Sequence, residues 1–319
     1  MICYLPSLVV TADIKNGLYK ERLHEALLID TSAGATDSRL RQSTKYSNSR
    51  GERINMKSIS NARELGGYKT MDGKRVREGV LLRTASLTDV SQEDLDALLK
   101  DHRLAVIIDL RASYELEEDP EPVVQGVAQY NFRIMDEQMM AGRAASISDI
   151  LMDPNVDPVS RMMAILEAGV ISDQMYVEFL QGEIGKNGFS EFFRVLLEAP
   201  EGSAVLWHCT NGKDRTGVAA MLLLGVLNVD EETIMEDFLL TNVFFEKEIS
   251  AMREQLGAYI EDETLLEEIL VTGRGVYASY MQNAIDYIKE NYGDIPGYVK
   301  AELGLTDEDI AKVQSLYTE

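Results

Sequence analysis

Cysteine, histidine, tryptophan and proline are all scarce in this chain of 319 residues, with 2 Cys, 3 His, 1 Trp and 7 Pro. Cys3 and Cys209 are too few for a disulfide framework. His24, His102 and His208 are scattered, so no cluster has metal-ligand spacing, and neither metal nor cofactor is expected. Basic charge is also short. Lys and Arg number 31 against 54 Asp and Glu, a net charge of -23, which argues against nucleic acid or an anionic membrane as partner. A small phosphorylated substrate stays open, because a pocket can be locally positive on an acidic protein. No apolar run approaches the ~20 residues of a membrane-spanning helix. The stretch from Ile2 to Val10 is apolar but short and broken by Pro6, with no basic flank or clear cleavage site. A cytoplasmic or a secreted location is therefore expected, with no signal peptide evident.

What is present concentrates in one stretch, Trp207-His208-Cys209-Thr210-Asn211-Gly212-Lys213-Asp214-Arg215-Thr216-Gly217. Ahead of it, Ala204-Val205-Leu206-Trp207 suits a short buried strand. Behind it, Val218 through Val229 is apolar almost all round and suits a buried helix. Strand, glycine-bearing loop and helix N-terminus in sequence form an anion site, because first-turn N–H groups are free and the helix dipole favours negative charge. A cysteine opens this loop and an arginine closes it, with five residues between them.

The rest of the chain reads as one large α/β domain preceded by an extension. Residues 1–30 suggest strands, and 31–53 form a Ser/Thr/Asn/Gly/Arg linker that is the one basic patch of the chain. Val80–Arg83 reads as a short strand, and Ser91 as the cap of a helix Gln92–Lys100. Leu104–Ile108 is a continuous apolar run that suits a parallel strand covered on both faces. Residues 134–182 hold half of the 14 methionines and read as a helical insertion: a hairpin packed on the domain or, functionally, a mobile cap over the anion site. Beyond residue 230 the pattern is helical to the end, with breaks at Gly257, Gly273, Gly293 and Pro296.

The chemistry follows from residue types. A thiol attacks phosphorus as thiolate, and helix N-termini and nearby cations lower its pKa from about 8.5. Cys209 is the candidate nucleophile, and Arg215 offers a planar fork matched to two phosphoryl oxygens. Thr210, Asn211, Gly212 and Lys213 supply the cradle, with Gly212 letting the backbone turn. Thr216 can offer its hydroxyl to the sulfur, and His208 orients the loop. The implied reaction passes through a phosphocysteine that water then hydrolyses.

The string His208-Cys209-x-x-Gly212-Lys213-Asp214-Arg215-Thr216-Gly217 resembles the loop of cysteine-dependent protein tyrosine phosphatases, in particular a bacterial branch of that family. Asn61-x-Arg63-Glu64-Leu65-Gly66-Gly67-Tyr68, Leu82-Arg83-Thr84-Ala85, Ile108-Asp109-Leu110-Arg111 and the run from Tyr280 to Leu305 extend the resemblance over about residues 53–319. It implies a twisted, mainly parallel sheet with helices on both faces, and hydrolysis of phosphorylated peptides, with phosphoinositides as further substrates. Lys213, a second cation in the loop, suits a highly charged substrate or merely stiffens the loop.

The leaving-group acid is divided between two residues. The separate Trp-Pro-Asp loop of ordinary tyrosine phosphatases is absent, since Trp207 is the only tryptophan. Asp214 lies inside the cradle, and the resemblance implies this role for it. Asp109 ends the other strong strand, on the side of the sheet where ligands sit, although an ion-pair network with Arg111, itself spaced to meet Glu115, is the competing reading. Asp214 is placed first. Arg63 and Arg83 either reach substrate or tie the sheet edge to an acid. The readings to be distinguished are a protein tyrosine or dual-specificity phosphatase, a phosphoinositide or inositol-phosphate phosphatase, and a phosphate-binding module without turnover.

Overall fold

The computed structural model describes residues 54–153, 155–258 and 260–319, so the strands read in 1–30 and the basic linker lie outside the described residues. Five strands, β1 (Arg63–Glu64), β2 (Leu81–Thr84), β3 (Leu104–Asp109), β4 (Ala128–Asn131) and β5 (Ala204–His208), form one sheet in the order β1-β2-β5-β3-β4. β1 runs antiparallel to β2, and the other pairings are parallel. This is the expected α/β arrangement. The central position of β5 explains its unbroken apolar run, since both of its faces are covered.

Alternation along β5 sorts its side chains between two cores of unequal size. Val205 and Trp207 join the main cluster, while Ala204 and Leu206 join a smaller one on the opposite face. The small core is closed by α1 (Gln92–Lys100) through Leu98. Ser91 caps that helix as expected, accepting from the Asp94 amide at 3.2 Å. Behind the main core stand α7 (Glu183–Glu198), with Phe189, Phe192 and Phe193 buried, and α8 (Asp214–Val226), whose apolar residues face the core on all sides. The Trp207 ring packs edge-on against Phe192, and its indole N–H donates to the Thr216 carbonyl at 3.2 Å. One side chain therefore ties the strand before the loop to the helix after it.

The C-terminal third is helical as read: α9 (Glu231–Phe244), α10 (Glu246–Gly257), α11 (Glu263–Gly273), α12 (Ala278–Tyr292), α13 (Ile295–Leu303) and α14 (Asp307–Tyr317). α13 lies close against α8, where a Cβ on Gly225 would come 2.5 Å from the Ile295 side chain. Between β3 and β4 lies α2 (Ser113–Glu118). The stretch 134–182 forms α3 (Glu137–Ala145), α4 (Ser148–Met152), α5 (Pro158–Glu167) and α6 (Met175–Gln181). These helices do not share one packing environment. In α6, Met175, Tyr176, Val177, Phe179 and Leu180 are buried, and all but Val177 belong to the main core. Met162 of α5 instead joins a satellite core with Ile249 and Leu256 of α10 and Leu265, Leu266 and Ile269 of α11. In α4, Ile150 and Met152 are exposed.

Burial depth sets the cost of local opening. Amide hydrogen exchange should therefore find α6 as protected as β5, with α3 and α4 exchanging about a hundredfold faster or more. Equal protection across all four helices would contradict this division of the insertion.

Candidate active site

The register levels three strand ends. Thr84 of β2 and Asp109 of β3 both pair with His208 of β5, so the loop 209–213 leaves the sheet at its carboxyl edge. Gly212 has φ of +64°, and a Cβ there would lie 2.2 Å from the Thr84 carbonyl oxygen, so this turn demands glycine. Four successive carbonyls of the loop are bonded outward. Thr210 O accepts from the Ser86 amide at 3.1 Å, and Asn211 O from Asn61 Nδ2 at 3.3 Å. Gly212 O accepts from Asn61 Nδ2 at 2.9 Å and from Arg83 at 3.0 Å, and Lys213 O from the Gly217 amide at 2.9 Å. In a trans peptide the N–H points opposite to the C=O. The amides of residues 211–214 therefore face away from these partners and line the inside of the loop as an anion nest.

Cys209 sits at the base of this nest and is buried. At the far end Arg215 is clamped by Glu115 of α2, whose two oxygens take the guanidinium at 2.5 and 2.9 Å. The same carboxylate accepts from the Thr210 hydroxyl and, at 2.8 Å, from the Ala112 amide. Burial pushes the Glu115 carboxyl up, but the Arg215 charge and these hydrogen bonds outweigh it and hold it well below the usual range. The Thr216 hydroxyl is buried beside the loop and has no hydrogen-bond partner among the described residues.

Beneath the loop lies a second buried charge cluster. Asp237 of α9 takes Arg63 at 3.0 Å and Arg83 at 2.6 Å, with the Tyr68 hydroxyl donating at 3.2 Å. Arg63 also donates to Asn61 Oδ1 at 2.5 Å, which aims the Asn61 amide at the loop. Burial favours a protonated Asp237, yet the two guanidiniums keep its carboxyl below the ordinary value. Burial and the nearby Arg63 pull Arg83 down to about 10. Both arginines are thus placed behind the loop, tying the sheet edge to an acid, and neither lines the cavity in front of it.

Asp109 is likewise held inside. Arg111 donates to it from its backbone at 2.8 Å and from its guanidinium at 2.9 to 3.2 Å, and also reaches Glu121 at 3.1 Å. The expected Arg111–Glu115 helical pair does not form, because α2 begins only at Ser113 and Glu115 turns to Arg215. His208 Nδ1 lies 3.3 Å from the Cys209 carbonyl, which suits loop orientation. Asp109, Glu121 and His208 bring potential metal donors within 4.8 Å of one another. Arg111 already bonds both acids, so a divalent cation there would face a fixed positive charge.

In front of the loop opens a cavity of about 580 Å³, bordered by Asn211, Lys213, Asp214 and Arg215. Its walls carry Tyr114, Tyr176, Tyr277 and Tyr280 together with Met135, Met140, Met162, Met175 and Met252. Asp214 accepts from the Tyr176 hydroxyl at 2.7 Å, and its other oxygen lies 3.7 Å from Lys213 Nζ. Lys213 is not a free cation. It donates to the carbonyls of Thr272 at 2.8 Å and Gly275 at 3.1 Å. Arg274, just past α11, donates to Asn211 Oδ1 at 2.9 Å and lines the cavity. The sequence reading missed Glu115, Asp237, Tyr176 and Arg274 as members of the site.

Such a nest, with a thiol at one end and a clamped arginine at the other, can hold a tetrahedral oxyanion, and comparison with known proteins supplies the family. A family model described as the tyrosine phosphatase family matches residues 54–319, and the chain belongs to that family. Across 262 residues it is 30% identical to a provisionally named tyrosine-protein phosphatase of Cupriavidus necator, covering 81% of this chain and 86% of that protein. It is 24% identical over 234 residues to a tyrosine-protein phosphatase of Nostoc commune, 73% of this chain and 72% of the relative. A shorter match, 28% identical over 130 residues, joins 39% of this chain to 47% of the triple specificity protein phosphatase PtpB of Mycobacterium tuberculosis. Phosphoester hydrolysis follows from this membership.

The Glu115–Arg215 pair makes stability depend on acid pH. The Glu115 carboxyl is depressed in the folded state, so its contribution is complete above the unfolded value of about 4.3 and is lost as pH falls through the folded one. Glu115→Gln should cost about 3 kcal/mol at pH 7 by leaving a buried guanidinium uncompensated. In urea titrations the gap between wild type and variant should narrow below about pH 4. A gap that stays constant from pH 7 to pH 3 would contradict the pairing.

Proposed function

We propose that this chain hydrolyses aryl phosphomonoesters, phosphotyrosine in peptides first among them, through a phosphocysteine on Cys209. The observation that carries this reading is the set of four outward-bonded carbonyls at 210–213, which leaves inward amides between Cys209 and Arg215. Those amides and the Arg215 fork hold the three non-bridging oxygens of a phosphoryl group. The Cys209 thiolate attacks phosphorus, the P–O ester bond breaks, and its electron pair leaves on the ester oxygen. Asp214, at the cavity wall, protonates that oxygen. The resulting carboxylate then takes a proton from water as the water oxygen bonds to phosphorus, and sulfur leaves as thiolate. The Thr216 hydroxyl is available to stabilise that sulfur.

Asp214 is preferred to Asp109 because it borders the cavity, while both Asp109 oxygens are bonded by Arg111. The aromatic and methionine walls favour a phenyl ester over a sugar phosphate. A second reading, a phosphoinositide or a dual-specificity substrate, draws on Arg274, a cavity cation whose hydrogen bond goes to the neutral Asn211 side chain. The triple specificity named for the mycobacterial relative points the same way.

A panel of phosphopeptides and phosphoinositides, assayed without added metal, tests both readings. Wild type should favour phosphotyrosine peptides, and Cys209→Ser should lose turnover of every substrate. Undiminished activity in that variant would overturn the mechanism. Asp214→Asn should lower kcat about 10²- to 10⁴-fold for poor leaving groups. If Asp109→Asn does so instead, the acid assignment reverses.

A further inference from the structure

Tyr176 stands out among the cavity residues because its one polar atom is committed to the acid. The ring is fully buried, stacked on Phe179 and met edge-on by Phe238 and Tyr280, with centroids 5.8 to 6.0 Å away. Those contacts pack the ring against three others. Its hydroxyl donates to Asp214 Oδ1 at 2.7 Å. A carboxylate can only accept, so the direction of this hydrogen bond is set by chemistry. Burial, first, and the Asp214 charge, second, push the Tyr176 phenol well above its ordinary value, so it stays a donor at every working pH.

We propose that Tyr176 is the positioning residue for the leaving-group acid: it occupies Oδ1 of Asp214 and leaves Oδ2 to carry the proton toward the ester oxygen. This rests on the reading of Asp214 as acid. In the first half-reaction the O–H bond at Oδ2 breaks and its proton goes to the departing oxygen. The negative charge left on the carboxylate is then met by the Tyr176 hydroxyl at Oδ1. In the second half-reaction the same hydrogen bond holds the carboxylate in place while it receives a proton from water. The other groups facing Asp214 do not replace this contact. Lys213 Nζ lies 3.7 Å from Oδ2 and is engaged by two carbonyls, and Arg215 is held by Glu115. Burial and neighbouring acids push Tyr280 up to about 12, so it too is neutral in the working range.

Tyr176→Phe keeps the ring and deletes the donor. A hydrogen bond to a charged group is worth about one to two powers of ten, so kcat for phenyl phosphate should fall about ten- to a hundredfold. For 2,4-dinitrophenyl phosphate, whose leaving group departs without a proton, kcat/KM, which reports only the steps up to phosphocysteine formation, should stay within about twofold of wild type. Removing a donor from the carboxylate destabilises its ionised form, so the alkaline limb of the kcat profile should move to higher pH. Competitive inhibition by vanadate, which probes the phosphate nest alone, should be unchanged. A variant with the wild-type leaving-group dependence and pH profile would overturn the proposal, as would weakened vanadate inhibition, which marks a merely structural role. Asp214→Asn, run in parallel, separates the two levels. If it becomes sensitive to the leaving group while Tyr176→Phe does not, the acid stands and the positioning role falls. If neither does, both fall together.

Discussion

The site depends on one buried carboxylate. Asp237 holds Arg63 and Arg83, and through them Asn61, in the space behind the loop, and these side chains bond the loop's carbonyls from outside. Without those partners the carbonyls of Asn211 and Gly212 would lose the donors that turn them away from the nest. Two guanidiniums against one carboxylate leave this cluster with a net positive charge in low-dielectric surroundings. Burying such charges costs several kcal/mol, and well-packed apolar residues often serve stability better. The arrangement makes sense as preorganisation: the donors that shape an anion cradle are fixed before any anion arrives.

The same logic governs the front of the site. Glu115 holds the Arg215 guanidinium in one plane with both of its oxygens while also fixing Thr210, the orientation that bidentate contact with an oxyanion requires. Glu115 is itself held by the Ala112 amide at the start of α2, so the clamp is anchored to helix geometry and not to a flexible loop. The result is a cradle supported from two sides by two carboxylates, one behind and one beside it.

Much of the fold was legible because local patterns report burial. The apolar run Leu104–Ile108, the Ser91 cap and the all-apolar helix after the loop correspond to β3, α1 and α8. The loop was legible because its glycine, cysteine and arginine are each required by local chemistry. The supporting residues were not, and for a physical reason. Glu115 lies 100 positions from Arg215, Asp237 174 from Arg63, and Arg274 63 from Asn211. Such pairs are set by how elements pack, which no periodicity encodes. Arg111 illustrates the hazard: its spacing to Glu115 suits a helix, but the helix starts two residues later, so both side chains find other partners. Tyr176 was hidden differently. On α6, amid Met175, Phe179 and Leu180, it reads as one more core residue, and it is one, apart from its hydroxyl.

Placing Cys209, Asp214 and Arg215 on one loop and the first turn of α8 has a further consequence for how the site can change shape. These groups are built on β5 and α8, which belong to the main core, and Tyr176 belongs to it as well. Part of the cavity wall is different: Met162 and Met252 pack in or against the satellite core of α5, α10 and α11, whereas Met135, Met140 and Met175 belong to the main core. Lys213 and Arg274 link the loop to the end of α11: the lysine bonds the carbonyls of Thr272 and Gly275, and the arginine bonds the Asn211 side chain. Rearrangement of the satellite would therefore reshape the substrate's surroundings through these links while leaving the distances between sulfur, guanidinium and carboxylate to the main core. Lys213 thereby has a place that the loop sequence alone does not suggest, as a tie between the loop and the end of α11.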